Sequence, residues 1–194
     1  LVKHLTKLGF YIAPTEIVLE KNFQYVCGLE KEIFLTAQYV PMAPLLKAFL
    51  ALPGIWEVIL ANMSASEDLK RTGGIMKSFL DGKLWKDTKE KFRHKDGVLL
   101  PLMHYYDDFE TVNPLGSRTK LHKIGGNYTV ILGLPPRFNA LLENLLLSLL
   151  FNASDRSQFG NKACCVTLIG QYKSLAVDGI IVRGHRVFPM LLLC

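Results

Sequence analysis

The chain has 194 residues, 49% of them hydrophobic, with a mean hydropathy of +0.21, a formal net charge of +6 and a pI near 9.1. That length and apolar content suit one domain with a proper core, or a small domain with a helical extension, and they exclude a disordered chain. The positive balance attracts polyanions without proving that any is bound. The longest apolar runs, "LLENLLLSLLFNA" and "VFPMLLLC", are too short and too interrupted to span a bilayer, and no membrane partner is expected. The first residues lack the apolar centre and cleavage site of a secretory signal. Cys27, Cys164, Cys165 and Cys194 show neither a C-x-x-C pair nor a histidine at ligand spacing, so they read as small core residues of an intracellular protein. The chain opens on Leu1 and stops on "VFPMLLLC", the pattern expected of a piece of a longer protein.

In chain order, the first half reads as helical. "APTEIVLEKNFQYVCGL" opens with Pro14 and Thr15 and sets Ile17, Leu19, Phe23 and Val26 in a helical stripe. "PMAPLLKAFLALPG" and "GIWEVILANMSASEDL" predict two further helices, divided by Pro53-Gly54. "GGIMKSFLDGKLWKDTKEKF" puts Ile75, Phe79 and Leu80 on one helical face until Gly82 interrupts it. "KDTKEKFRHKDG" mixes both signs of charge and reads as a solvated connector. Trp56 and Trp85 fall at helical apolar positions and suit core packing.

Beyond Gly97 the pattern changes. "VLLPLMHYYDDF" is a continuous apolar run that turns polar, as expected of a strand buried on both faces and emerging at its carboxyl end. His104, inside that run, reads as a satisfied core histidine. "NPLGS" is a turn, "NYTVILGL" a second strand closed by Pro135-Pro136, and "NLLLSLLF" a third, ended sharply by "NASDRSQFGN". "NKACCVTLIGQYKSLAVDG" predicts a helix stopped at Gly179. "IIV", "RGHRV" and "FPMLLLC" form a tight hairpin feeding another buried strand, with Arg183, His185 and Arg186 at its solvated tip. The expected class is α/β (α+β). A helical region over 1–97 precedes an incomplete ribonuclease H-like mixed sheet with a flanking helix over 98–194, since three neighbouring strands, a helix and a return strand make up the first half of such a core.

The stretch Tyr105-Tyr106-Asp107-Asp108 carries the most chemistry. Its residues fit the Tyr-x-Asp-Asp hairpin that holds metal ions in reverse transcriptases. They also fit an acidic turn in which Asp side chains bond nearby amides at a strand end. A third reading starts from the apolar approach. Two carboxylates side by side and partly desolvated repel each other unless a cation sits near them.

In addition, the region from Tyr105 onward resembles the catalytic region of CACTA-type (En/Spm-like) transposases and their animal transposon-derived relatives. The matching pieces are Asp107, Phe109, "NPLG" (Asn113 to Gly116), "VILGLPP", "LSLLF" (Leu147 to Phe151) and "GNKA" (Gly160 to Ala163), in order and at similar spacing. "YYDDF", "HKIG" and "DGKLWK" are shared with the animal relatives. The insertion of Glu110 to Val112 leaves open whether Asp107 or Asp108 is the equivalent carboxylate, and counting back from Phe109 favours Asp107. The resemblance implies a ribonuclease H-like fold and two-metal phosphoryl transfer on DNA, with Mg2+ or Mn2+ on three carboxylates. It also implies a nuclear location. Asp107 would be the metal ligand, with Asp108 beside it, and the remaining acids would lie beyond Cys194. Strand cleavage is therefore not expected of these 194 residues alone. Arg118, Lys120 and Lys123, with His122 among them, are the candidate contacts to DNA phosphates, or else the lysines of a soluble strand edge. A homo-oligomer is compatible with this reading. A domesticated or decayed remnant that binds DNA or a protein without catalysis is the alternative.

Overall fold

Residues Thr15 to Tyr39 form two long antiparallel strands, β1 (Thr15–Val26) and β2 (Leu29–Tyr39), in the computed structural model, which describes residues 11–71, 75–110, 123–139 and 141–193. The helix expected over "APTEIVLEKNFQYVCGL" is therefore overturned. Cys27 and Gly28 take φ angles of 51° and 79°, the two left-handed positions that a two-residue hairpin turn needs. The flanking Ile, Val, Phe and Tyr side chains favour extended backbone. The β1–β2 register slips between Val18 and Glu20, which breaks the strict alternation of a strand and leaves a spacing that imitates a helical stripe. Cys27 is exposed at this turn, unlike the core cysteine expected there.

Helix α1 (Met42–Leu50) and helix α2 (Ile55–Arg71) follow as expected, separated at Pro53-Gly54. The next predicted helix is broken differently. Residues 75–77 are irregular and Ile75 is exposed; Phe79–Asp81 make one 3-10 turn, and α3 (Lys83–Lys91) starts after Gly82. Much of the supposed connector is thus helical, with Trp85 and Thr88 buried. The Asp81 carboxylate closes the 3-10 turn by accepting bonds from the Ser78 amide at 2.8 Å and the Ser66 hydroxyl at 2.5 Å.

The second half follows the expected order. Strands β3 (Val98–Glu110), β4 (Lys123–Ile131) and β5 (Leu146–Asn152) are followed by helix α5 (Ala153–Asp178), with a short helix α4 (Pro136–Asn139) between β4 and β5. Strands β6 (Ile180–Val182) and β7 (His185–Leu193) close the chain. One correction applies to "NASDRSQFGN". It is not a loop but the first part of α5, whose course is interrupted by non-helical angles at Gly160 (φ 83°, ψ 165°).

The seven strands among the described residues share one sheet in the order β1-β2-β5-β4-β3-β7-β6. β3 runs antiparallel to β4 and parallel to β7, and β4 runs antiparallel to β5. The molecule is therefore a mixed α+β protein. Among the described residues of 1–97 the helices run from Met42 to Lys91, and the hairpin before them belongs to the sheet through β2–β5 pairing at Gln38 and Tyr39. One face of β3 and β4 buries Leu100, Leu102 and Ile131 with Leu46 and Leu50 of α1 and Leu168 and Leu175 of α5. Each such side chain contributes about 1.5–3 kcal/mol by leaving water. Phe188, Met190 and Val130 are buried on the opposite face, as the period-two alternation of strands requires.

Two glycines fix where β3 and β6 begin. Gly97 and Gly179 have φ angles of 155° and 70°, and a Cβ on either would press on the β7 backbone, at the Arg186 and Val187 carbonyls respectively, and on the Phe188 ring. Helix α5 ends there because Gly179 adopts a conformation that L side chains resist. Among the described residues no single helix is long and apolar enough to cross a membrane.

Candidate functional site

β3 is buried or half-buried up to Tyr106 and exposed from Asp107 onward. Among the described residues β7 pairs with β3 as far as Met103, which faces Leu193, and β4 borders the strand beyond that point. Asp107 pairs across to Gly126 and Asp108 to Gly125. Both carboxylates therefore lie inside a strand ladder, on a strand flanked by β4 and β7, where a polymerase hairpin would have put them at its tip.

Successive strand residues point to opposite faces, so Asp107 and Asp108 project away from each other. Both are also exposed. The partly desolvated pair sharing a cation is corrected on both counts. Lys123 Nζ lies 3.5 Å from Asp108 Oδ2, with both side chains about a third exposed, an ion pair worth at most about 1 kcal/mol. Of the three basic residues expected to meet DNA, Lys123 is thus engaged with Asp108, while Arg118 and Lys120, like His122, fall outside the described residues. Among the described residues no group of three or more His, Cys, Asp or Glu side chains is placed to hold a metal ion. One carboxylate per face, one of them paired with a lysine, does not by itself make a Mg2+ or Mn2+ centre, which needs several oxygen ligands around one ion.

The Asp108 face carries an aromatic platform. The Tyr106 ring lies over Gly125, where an added Cβ would come within 2.5 Å of the tyrosine oxygen. Phe151 stacks beside it at 5.8 Å and 22°, and the Arg156 guanidinium of α5 sits 4.1 Å above its centroid, a cation–π contact. Burial raises the Tyr106 pKa, with Arg156 opposing and Asp108 adding to the shift. On the Asp107 face, Tyr105 stacks on Tyr128 at 5.2 Å and 19°. Burial, then the nearby Tyr128 and Asp107, raises the Tyr105 pKa.

Deeper on the Asp108 face, the apolar strands enclose a polar chain. His104 Nε2 lies 3.0 Å from Asn127 Oδ1, and the Tyr172 hydroxyl lies 3.3 Å from His104 Nδ1. Thr129 Oγ1 hydrogen-bonds the same tyrosine oxygen and contacts Met42 Sδ at 3.9 Å. All four polar residues are 5% exposed or less. The pattern suits a neutral imidazole protonated on Nε2, donating to Asn127 and accepting from Tyr172. Burial lowers the His104 pKa, only partly offset by the Asn127 bond. The reading of His104 as a satisfied core histidine agrees with this geometry. Burial likewise pushes the Cys164 thiol up to about 11, which leaves it a poor nucleophile.

Sequence reasoning did not single out Arg156, Asn127, Thr129 or Tyr172. Asn127 and Thr129 were visible as polar interruptions of an apolar strand. Arg156 gave no signal, since the segment containing it read as a loop. The hairpin tip is exposed from Arg183 to Arg186, the solvated turn expected, yet its arginines are engaged. Arg183 hydrogen-bonds Glu57 and the carbonyls of Ala51 and Leu52 at 3.1 and 3.3 Å, tying the β6–β7 turn to the α1–α2 corner. Arg186 donates to the Asp178 carbonyl at 3.1 Å. Trp56 and Trp85 are buried, in keeping with core packing. No protein-family model matches this chain, and no curated protein matches it at a significant level.

Proposed function

We propose that this chain carries the first carboxylate strand of a ribonuclease H-like core related to CACTA-type transposases, with Asp107 serving phosphoryl transfer on DNA in a complete active centre. The observation that supports this reading is the strand order. Three consecutive antiparallel strands, β3, β4 and β5, lead into α5, and β7 returns parallel to β3 on the side away from β4. Asp107 then stands four residues beyond the last β3–β7 pair, at the edge toward which both strands run, where open sheets that mix strands and helices gather their ligands. Among the described residues Asp107 has no ion-pair partner, in contrast to Asp108. Mg2+ or Mn2+ is the expected ion for such chemistry, and it requires ligands beyond those described. DNA is the proposed substrate and the nucleus the proposed location.

A Mn2+ titration followed by paramagnetic broadening of backbone resonances tests the role of Asp107. Weak broadening centred on Asp107 and abolished by Asp107→Asn is expected. Broadening centred elsewhere, or unchanged in that variant, refutes it. These 194 residues are not expected to nick supercoiled plasmid in either metal.

A second reading, a non-catalytic remnant that binds DNA or a protein, is favoured by the Lys123–Asp108 pair and by the divergence of the two carboxylates. It predicts salt-sensitive DNA binding that Asp107→Asn leaves intact and Lys123→Ala weakens.

A further inference from the structure

The two faces of β3 beyond His104 differ in what their aromatic rings already touch. On the Asp108 face the Tyr106 ring is taken up by Phe151 and by the Arg156 guanidinium. On the Asp107 face the alternate residues of β3 are Tyr105, Asp107 and Phe109. The Tyr105 ring is half-buried and meets one other ring among the described residues, that of Tyr128. Phe109 is 42% exposed and meets no ring among them. Packing within the sheet accounts for Tyr128, whose ring covers Gly126 so closely that an added Cβ would come within 2.8 Å of it. It gives no role to Phe109 or to the side of Tyr105 turned away from Tyr128.

Charge and spacing narrow what such rings can hold. Besides Asp107, this face of β3 and β4 carries apolar and aromatic side chains and Gly126, with no cation among the described residues; Lys123 projects to the other face, toward Asp108. A contact made here uses ring faces, not paired charges. The rise of about 3.3 Å per strand residue puts Tyr105 and Phe109 each about 6.6 Å from Asp107 along the strand, and about 13 Å from each other. Stacked bases of a DNA strand follow one another every 3.4 Å or about that, so bases resting on both rings are unstacked from one another. Aromatic rings on an open sheet face suit splayed, unpaired bases of this kind.

We infer that Tyr105 and Phe109 are a stacking platform for unpaired bases of the DNA strand whose phosphate is presented to Asp107 between them. The inference deepens the reading of Asp107 given above and rests on it. Each ring takes the face of one base whatever its identity, since every base has a π-face. The pair fixes where the DNA backbone crosses β3, and it calls for DNA that is melted, frayed or nicked at that crossing.

Binding of the whole chain to a single-stranded oligonucleotide carrying 2-aminopurine tests it, because stacking on a ring changes the emission of that base. An emission change on binding is expected. Tyr105→Leu and Phe109→Leu, which keep apolar bulk, should each weaken binding at least about 5-fold and diminish the emission change, with the salt dependence of the affinity unaltered. Tyr105→Phe should bind as the wild type does. Blunt duplex of the same sequence should bind more weakly and be indifferent to both leucine substitutions. Circular dichroism on each variant separates loss of binding from loss of fold, and exposed Phe109 is the substitution that disturbs the sheet least. No emission change in the wild-type chain up to its solubility limit overturns the inference. So do leucine variants that bind and emit as the wild type does, or that lose duplex binding equally. Mn2+ broadening measured on the same variants keeps the two ideas apart. Broadening retained at Asp107 with no stacking signal overturns the platform alone. A stacking signal that needs both rings, with no broadening at Asp107, overturns the metal role of Asp107 and supports the platform.

Discussion

Replacing Tyr172 with phenylalanine removes one hydroxyl from the middle of a buried polar chain and leaves the ring in place. Two bonds vanish, that with Thr129 and that with His104 Nδ1. Thr129 keeps its long contact to Met42 Sδ at 3.9 Å, so the imidazole Nδ1 is the group left without a strong partner. The edge-to-face packing of the two rings, 5.7 Å apart at 65°, survives the change. The cost is therefore that of one buried, unsatisfied acceptor and a weakened hydroxyl, about 1–3 kcal/mol. Equilibrium urea unfolding measures it as a lower midpoint at unchanged slope. The same substitution in a His104→Leu background should cost clearly less, because the orphaned acceptor is then gone. A loss below about 0.5 kcal/mol in the wild-type background, or equal losses in both, would refute the view that these residues act as one bonded unit.

Three further outcomes follow from the same geometry. His104 has a lowered pKa in the fold, so the unfolded chain takes up its proton first as pH falls below the ordinary value near 6.5. Stability should hold above that pH and fall below it toward the folded pKa, by at most about 1.4 kcal/mol per pH unit, and His104→Leu should remove that component of a pH series of urea melts. Gly179→Ala forces a left-handed angle on an L residue and presses Cβ against the Val187 carbonyl at 2.9 Å. A loss greater than about 1 kcal/mol is expected in thermal unfolding. A disulfide exchange reagent should modify exposed Cys27 in the folded protein and reach buried Cys164 only on unfolding.

The sequence disclosed its second half better than its first. The apolar runs of β3 and β5 are long, lack helical gaps and end on polar residues, so a buried strand was the natural reading. The β1–β2 hairpin was hidden by three features acting together: a Cys-Gly turn in place of the usual Asn-Gly or Asp-Gly, a bulge at Leu19, and faces too exposed to show alternation. The start of α5 was hidden by Ser, Asp and Gly residues that favour loops when read locally. The divergence of Asp107 and Asp108 follows from strand geometry alone once β3 is accepted. What the sequence could not supply is the partner of each polar group. The Lys123–Asp108 pair and the Arg156–Tyr106 contact join residues brought together only by the pairing of β3 with β4 and the packing of α5.

The Phe188 ring, wedged against both Gly97 and Gly179, has a consequence at the far end of the sheet. It stops the third strand and the last from sliding past one another, since a shift of either would drive backbone into that ring. The register held there runs unbroken to Leu102 opposite Leu191 and then slips by one, bringing Leu193 opposite Met103, so the level at which the last strand draws up beside the strand of Asp107 is set jointly by an aromatic ring at one rim and an extra residue at the other.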